Sequence, residues 1–200
     1  MNLLDTAQIF RFHKELIKEY GEGTKEALGW KSSEGQRIRF EILLGIGDLN
    51  NCSVLDAGCG YGDLREPLNG TYPKARYFGI EQIPSILQVA IDRYSHFPET
   101  VFFEGDFSSA ELPAVDYILA SGSLSYRNSD GFFIVKMIEK LFNSCRIGFG
   151  FNLSGSIEPQ DGLLIAYKPA FIQELCLKLT DKVTLRSGYY EDDFTLFMYH

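Results

Sequence analysis

A short segment between residues 54 and 64 places one acid and three glycines in a pattern that suits ligand binding. Asp56 follows two apolar residues, and Gly58, Gly60 and Gly62 come at every second position after it. Glycine tolerates a positive φ and lets a ligand approach the backbone, because no Cβ intervenes. A helix is expected soon afterwards, and the amides at a helix N-terminus attract anionic groups. The segment predicts a nucleotide-type ligand at a strand-to-helix turn, and a glycine-rich turn without a ligand is the alternative.

The glycine spacing separates the candidate ligands. A dinucleotide fingerprint has the form G-x-G-x-x-G, and a phosphate-binding P-loop has the form G-x-x-x-x-G-K-[ST]. This chain has G-x-G-x-G and no P-loop. A nicotinamide-dependent oxidoreductase is therefore the less favoured interpretation, and the sequence offers no second domain for it.

A second acid, Glu81, ends the next apolar strand pattern at Ile80-Glu81. A carboxylate at such a strand end accepts two hydrogen bonds from a ribose diol in dinucleotide-binding folds. Ile83 follows two residues later, and it is a candidate to cover one face of a purine or to belong to the core.

A third acid, Asp106, follows the next strand pattern in the run Glu104-Gly105-Asp106-Phe107. Its carboxylate is a candidate acceptor for an exocyclic adenine amine, and the amide of Phe107 is a candidate donor to a ring nitrogen. A plain Gly-Asp turn is the alternative. All three acids would lie at the carboxyl edge of a parallel sheet, where ligands bind in open α/β folds.

The elements that must position these residues alternate between strands and helices from residue 53 onward. Such alternation predicts βαβ units and a mostly parallel sheet. The last two strands lack an intervening helix, so they should pair as an antiparallel hairpin. The predicted strands cover 53–58, 76–81, 100–106, 115–121, 145–153, 183–188 and 194–199, and the predicted helices about 63–69, 84–95, 130–143 and 168–179.

Residues 1–50 precede the sheet pattern, and we interpret them as an N-terminal helical cap beside an α/β domain at 51–200. Asp5 is predicted to cap a first helix that runs to Tyr20. Ser33 and Gln36 have the spacing of a capping box at the start of a second helix.

Composition limits the partners. The chain has 200 residues and a formal net charge of −8 at pH 7. Such a surface repels nucleic acid unless a basic patch compensates, and no basic run exists. No apolar run approaches the ~20 residues of a membrane span. The four cysteines form neither a disulfide pattern nor a zinc motif, so we predict no metal site and a reducing, cytoplasmic location.

These motifs together resemble the class I S-adenosylmethionine-dependent methyltransferases. VLDAGCGYG is similar to their motif I, YFGIEQ to motif II and FFEGDF to motif III, and the resemblance covers about 53–200. It implies a Rossmann-like, doubly wound, seven-stranded sheet with the order 3-2-1-4-5-7-6. The sheet would be mostly parallel, with an antiparallel strand from the C-terminal hairpin.

The resemblance also implies roles for individual residues toward S-adenosylmethionine. The glycine segment would surround the methionine moiety, Glu81 would hold the ribose, and Asp106 the adenine amine. Arg39, in the expected cap, is a candidate partner for the methionine carboxylate, and a surface arginine is the alternative. The full cofactor-binding set is Asp56, Gly58, Gly60, Gly62, Glu81, Gln82, Ile83, Asp106, Phe107 and Arg39.

The acceptor side should be built by residues 121–126, just past the fourth strand, and by the irregular stretch 154–167. The family's nucleic-acid amino methyltransferases have an Asn/Asp/Ser-Pro-Pro-aromatic tetrad after this strand, whereas this chain has ASGSLSY. We therefore expect methyl transfer to a small molecule, with a non-catalytic cofactor-binding or scaffold protein as the alternative. His13, Ser123 and Tyr126 are weak catalytic candidates.

Overall fold

A computed structural model describes residues 1–157, 159 and 162–200. This part of the chain contains one seven-stranded sheet with the order β3-β2-β1-β4-β5-β7-β6. Strands β1 to β5 run parallel to one another, and β7 is antiparallel to both β5 and β6. The predicted order and hairpin are thereby confirmed. The strands are β1 Ser53–Ala57, β2 Arg76–Glu81, β3 Thr100–Glu104, β4 Val115–Ser121, β5 Cys145–Ser154, β6 Val183–Ser187 and β7 Asp193–Tyr199.

Helices precede the sheet and connect its strands. A single 3₁₀ turn, Glu26–Leu28, lies between the first two helices. The helices are α1 Leu3–Tyr20, α2 Ser33–Leu44, α3 Arg65–Thr71, α4 Pro84–Tyr94, α5 Phe133–Asn143 and α6 Pro169–Leu177.

Both predicted N-terminal caps were wrong, the first by three residues and the second by one. Asn2, not Asp5, caps α1 by accepting from the amide of Asp5. Ser32, not Ser33, caps α2 by accepting from the amide of Gly35. The Asp5 carboxylate instead accepts from the amide and hydroxyl of Ser129, a long-range partner that local sequence does not reveal.

The two faces of the sheet bury different helices because side chains alternate along each strand. On β4, Tyr117 and Leu119 lie in the cluster that includes α2 and α3. Ile118 and Ala120 lie in the opposite cluster, with α5 and α6. The sheet is thus covered on both sides, and its carboxyl edge remains open for a site.

The two N-terminal helices pack in different places. Helix α2 buries Leu43 and Leu44 against the sheet face. Helix α1 buries Ile9 in a smaller cluster with Ile83 and Ile86, beside the carboxyl edge. The domain division at residue 50 stays a prediction. No helix in the described part of the chain is long and apolar enough to cross a membrane.

Candidate cofactor and acceptor site

One pocket lies at the carboxyl edge of the sheet. Asp56 reaches it from β1, Glu81 from the end of β2 and Asp106 from just beyond β3. These strands are neighbours, so residues far apart in sequence meet there. Residues of α1, the 3₁₀ turn and α2 cover the pocket, and segments after β4 and β5 complete it.

The glycine loop after β1 requires glycine at two positions of the pocket wall. Gly58 has φ +76° and Gly60 has φ +56°, a region that residues with a Cβ rarely adopt. A Cβ on Gly60 would lie 3.0 Å from Leu28, which covers the loop. Gly62 also has a positive φ, but it faces Tyr94 and Phe102 and does not line the pocket.

Asp56 lies at the floor of the pocket and is 3% exposed. Its Oδ2 accepts a hydrogen bond of 2.8 Å from the hydroxyl of Tyr77. Burial raises the pKa of Asp56 to about 7, against the opposing effect of that hydrogen bond. The carboxyl can therefore change charge near neutral pH. Its partner Tyr77 comes from the neighbouring strand, and nothing in the sequence pattern had singled it out.

Glu81 is also buried, and its two oxygens already have backbone partners. Oε1 accepts from the amide of Ile83 at 2.9 Å, and Oε2 accepts from the amide of Gly60 at 3.2 Å. Burial raises the pKa of Glu81, and these backbone hydrogen bonds oppose the increase. Each carboxylate oxygen has a second lone pair, so the group retains acceptor capacity for a diol.

The carboxylate of Asp106 is held by the loop that follows it. It accepts from the amide of Ser108 at 2.8 Å and from the Ser108 hydroxyl at 2.7 Å. The amino group of Met1 also contacts it, at 3.3 Å. Burial by itself would raise the pKa of Asp106, but the bonds from Ser108 and the ammonium charge outweigh burial and lower it. Asp106 is thus an ionised acceptor, with Phe107 buried beside it in the pocket wall.

Gln82 supplies a buried polar atom that still needs a partner. Its side chain lines the pocket, and its Oε1 is buried without a hydrogen bond. Such an atom is costly unless a donor reaches it. Ile83 is 7% exposed and lies in the same wall. The unsatisfied oxygen, the open lone pairs of Glu81 and the glycine wall fit a ligand that has hydroxyl donors and a flat ring.

Arg39 lines the pocket but is committed to another residue. Its Nε and Nη2 both donate to the carboxylate of Asp193, the first residue of β7. Its guanidinium also lies over the ring of Trp30, 5.1 Å from the centroid. A contact between Arg39 and a methionine carboxylate stays a prediction. Sequence reasoning missed Asp193, although an acid directly before an apolar strand was a usable signal.

The acceptor candidates lie together. His13 of α1 and Tyr126 after β4 join through a hydrogen bond of 2.6 Å between Nε2 and the phenol oxygen. Ser123 also lines the pocket, but its hydroxyl donates to the carbonyl of Ala57. The stretch 154–167, part of which lies outside the described residues, contributes Leu164 to the pocket. The backbone of Leu164 forms an isolated antiparallel bridge with that of Tyr126.

The pocket thus brings together most of the predicted residues and leaves out one. Gly62 is the exception, and its position supports packing rather than ligand contact. The predicted residues that line the pocket are His13, Arg39, Asp56, Gly58, Gly60, Glu81, Gln82, Ile83, Asp106, Phe107, Ser123 and Tyr126.

Comparison with known proteins gives a consistent result. Residues 54–146 match the family model described as "Methyltransferase domain". The malonyl-[acyl-carrier protein] O-methyltransferase of Acetivibrio thermocellus is 29% identical over 110 residues, which are 53% of this chain and 38% of that protein. A trans-aconitate 2-methyltransferase of Escherichia coli is 30% identical over 96 residues, 48% of this chain and 37% of that protein. The match spans less than two-fifths of either relative.

Solved structures share the fold over nearly the whole chain. Magnesium protoporphyrin IX methyltransferase from Synechocystis PCC 6803, with bound SAH, superposes with a TM-score of 0.73 at 15% sequence identity. The superposition covers 98% of this chain and 99% of that enzyme's chain. The N-methyltransferase NodS from Bradyrhizobium japonicum WM9, with S-adenosyl-l-homocysteine, has a TM-score of 0.71 at 14% identity, covering 96% and 98%.

The strand order and the glycine loop agree with the methyltransferase domain matched at residues 54–146 and with the class I S-adenosylmethionine-dependent methyltransferases that the sequence motifs resemble. The same Synechocystis enzyme has also been solved with bound S-adenosylmethionine.

Proposed function

We propose that the protein transfers a methyl group from S-adenosylmethionine to a small-molecule acceptor. One observation carries the proposal: Asp56, Glu81 and Asp106 converge from three adjacent strands on a single pocket whose wall includes the glycine loop. Glu81 would hold the ribose hydroxyls, Asp106 the adenine amine, and Gln82 Oε1 would accept from the same ligand.

The chain's own residues would orient the reactants and exclude water. When bound, S-adenosylmethionine supplies a methyl group whose bond to sulfur breaks with both electrons left on sulfur, as the acceptor's lone pair forms a bond to carbon. The protein has to align that lone pair at close approach. Leu28 covers the glycine loop and Trp30 lies against Gly122 after β4, and both would shield the pocket from solvent.

A small acceptor is supported by the shape of the site and by the names of the relatives. The acceptor end is lined by three aromatic rings and a leucine, which suit a compact acceptor: Trp30, Tyr126, Tyr190 and Leu164. The curated relatives are named for a malonyl group on an acyl-carrier protein and for trans-aconitate. The net charge of −8 supports the absence of a nucleic-acid partner. A cytoplasmic location belongs to the same proposal, supported by four free thiols.

Two measurements test the proposal. Calorimetric titration with S-adenosylhomocysteine should give binding, and titration with NAD should give none. Radiolabelled S-adenosylmethionine should then label at least one compound in a set of small phenols, amines and acids. Binding of NAD but not of S-adenosylhomocysteine would contradict the cofactor. Cofactor binding without any methyl transfer would favour the non-catalytic alternative.

A further inference from the structure

The hydrogen bond between His13 and Tyr126 belongs to a longer chain that fixes where each proton lies. The other ring nitrogen of His13, Nδ1, is 3.1 Å from the carbonyl oxygen of Ala27. A carbonyl only accepts, so Nδ1 must carry the hydrogen. In the neutral ring Nε2 is therefore bare and must accept from the hydroxyl of Tyr126. The direction of the chain is Tyr126 to His13 to Ala27.

Burial keeps this histidine neutral. His13 is 5% exposed, and burial lowers its pKa against the smaller opposing effect of the Ala27 hydrogen bond. Burial, and then the charge of Glu81, raises the pKa of Tyr126, so its phenol stays protonated. A neutral imidazole with a fixed tautomer and a bare nitrogen is the form that takes up a proton.

The hydrogen-bonded pair of His13 and Tyr126, here called the dyad, faces the site where methyl transfer would occur. His13 and Tyr126 both line the pocket that contains Asp56, Glu81 and Ser123. The ring of Phe12 lies in a T-shaped arrangement with both rings, its centroid 5.2 Å from that of His13 and 6.5 Å from that of Tyr126. The phenol oxygen donates its only hydrogen to His13 but retains lone pairs, so it can accept a hydrogen from an acceptor molecule in the pocket.

On the basis of the proposed function, we propose that Tyr126 and His13 form a proton relay for the methyl acceptor. The nucleophile of that acceptor is a hydroxyl or an ammonium group, which must lose a proton. The acceptor's proton moves to the Tyr126 oxygen as the Tyr126 proton moves to Nε2 of His13. The acceptor's lone pair forms the bond to the methyl carbon. With a hydroxyl, the positive charge lost from sulfur reappears on the imidazolium. With an ammonium group, the imidazolium gains the acceptor's charge with its proton, and the methylated amine carries the charge lost from sulfur. In both cases the net charge of the buried site is unchanged.

The charges of the pocket also argue against a carboxylate acceptor. An ionised carboxylate has no proton to lose and needs no relay. It would also meet the acids Asp56, Glu81 and Asp106 in the same pocket. Arg39 is already paired with Asp193, and Lys31 lies exposed at the rim. The site therefore favours an acceptor that carries a proton on its nucleophile and is either neutral or cationic.

The test begins with the dyad itself. Nitrogen NMR of the ¹⁵N-labelled full chain at about pH 7 should show His13 neutral, with the hydrogen on Nδ1, and Tyr126→Phe should shift the Nε2 resonance. A hydrogen on Nε2 would overturn the proposal, whatever the activity. This measurement needs neither cofactor nor acceptor.

Methyl transfer then separates a proton relay from a structural contact. Phenol, benzylamine and benzoate are probes of similar size, assayed with radiolabelled S-adenosylmethionine. Transfer to phenol or benzylamine is expected, and these two arms distinguish the hydroxyl from the ammonium source. Transfer to benzoate alone would overturn the proposal. No transfer to any probe, with S-adenosylhomocysteine still bound, would contradict the proposed function, and the NMR result would decide the dyad.

Two conservative variants complete the test. His13→Gln keeps an oxygen that can accept from Tyr126 but cannot take up a proton, and Tyr126→Phe keeps the ring. Each should lower kcat toward the protonated probe by about 100-fold or more while leaving the KM for S-adenosylmethionine nearly unchanged. At about pH 8, 4-nitrophenol is largely ionised, whereas unsubstituted phenol is not. With 4-nitrophenol as the probe, the loss of kcat should therefore nearly vanish. The exposed His96→Gln and Tyr20→Phe serve as controls. An equal loss with 4-nitrophenol, or wild-type kcat in His13→Gln, would overturn the relay.

Discussion

The backbone amide of Gly60 donates a 3.2 Å hydrogen bond to the carboxylate of Glu81. This bond joins the glycine loop after β1 to the end of β2, so the acid that we propose to hold the ribose also holds the loop. Glu81 therefore has two tasks: it shapes the pocket through Gly60 and Ile83, and it retains acceptor capacity for a ligand.

The first prediction follows from these two tasks. Glu81→Ala should weaken S-adenosylhomocysteine binding by roughly 10- to 1,000-fold, because hydrogen bonds to a charged acceptor contribute about 1.5–3 kcal/mol each. Glu81→Gln keeps one acceptor oxygen and should lose less affinity. Calorimetric titration of the three proteins gives the comparison.

A melting curve without ligand provides the control for Glu81. Since the carboxylate accepts from two backbone amides, Glu81→Ala should also lower the melting temperature, and Glu81→Gln should lower it less. Affinity within about twofold of wild type in Glu81→Ala would show that this acid does not hold the ribose.

The second prediction concerns the wall of the pocket at Gly60. Gly60→Val should abolish cofactor binding, because φ is +56° and a Cβ there would lie 3.0 Å from Leu28. Gly70→Ala is the matched control, since a Cβ at Gly70, in α3, meets nothing within 4 Å. Circular dichroism should show that both variants fold. A folded Gly60→Val protein with normal affinity would remove the loop from the cofactor site.

The sheet was predictable because its signals are local. Strands β2 and β3 end at an acid, and β1, β4, β5 and β6 are each followed directly by a glycine. The family motifs supplied the order in which the strands pair. Asp56, Glu81 and Asp106 could be placed at one edge for the same reason, since parallel strands share their carboxyl ends.

The partners of the site residues were not predictable in the same way. Asp5 has the local pattern of a helix cap, yet it bonds to Ser129, 124 residues away. Arg39 and Asp193 are separated by 154 residues and meet only because β7 inserts beside β5. Such pairs depend on how distant elements pack, which spacing along the chain does not encode.

The third prediction tests that distant pair. Asp193 is 2% exposed and bonds Arg39, so Asp193→Asn should leave a partly buried guanidinium without its counter-charge. Breaking a buried pair in this way costs about 3–5 kcal/mol, less where one partner is partly exposed, as Arg39 is here. Chemical denaturation should show the loss. Arg37→Gln, at a surface pair with Glu41, is the control and should change stability by less than about 1 kcal/mol.

The last prediction concerns the charge of Asp56 and its dependence on pH. Burial raises the pKa of this carboxyl from 3.8 in an open chain to about 7 in the folded protein, while Tyr77 donates to it and Glu81 and Asp63 add negative charge nearby. Because the folded state holds the proton more tightly, the stability from Asp56 is complete below about pH 4 and is lost as the pH rises to about 7. The free energy of unfolding should therefore fall with pH across this window, by at most about 1.4 kcal/mol per pH unit from this group. Asp56→Asn should remove that part of the slope.

Cofactor binding should change in the opposite direction, since the sulfonium of S-adenosylmethionine favours the ionised carboxylate: its affinity should rise as the pH increases through 7, and binding should release a proton. Calorimetry in two buffers of different ionisation enthalpy measures that proton, and S-adenosylhomocysteine, which lacks the sulfonium charge, should release less. Equal proton release by wild type and Asp56→Asn would show that another group titrates.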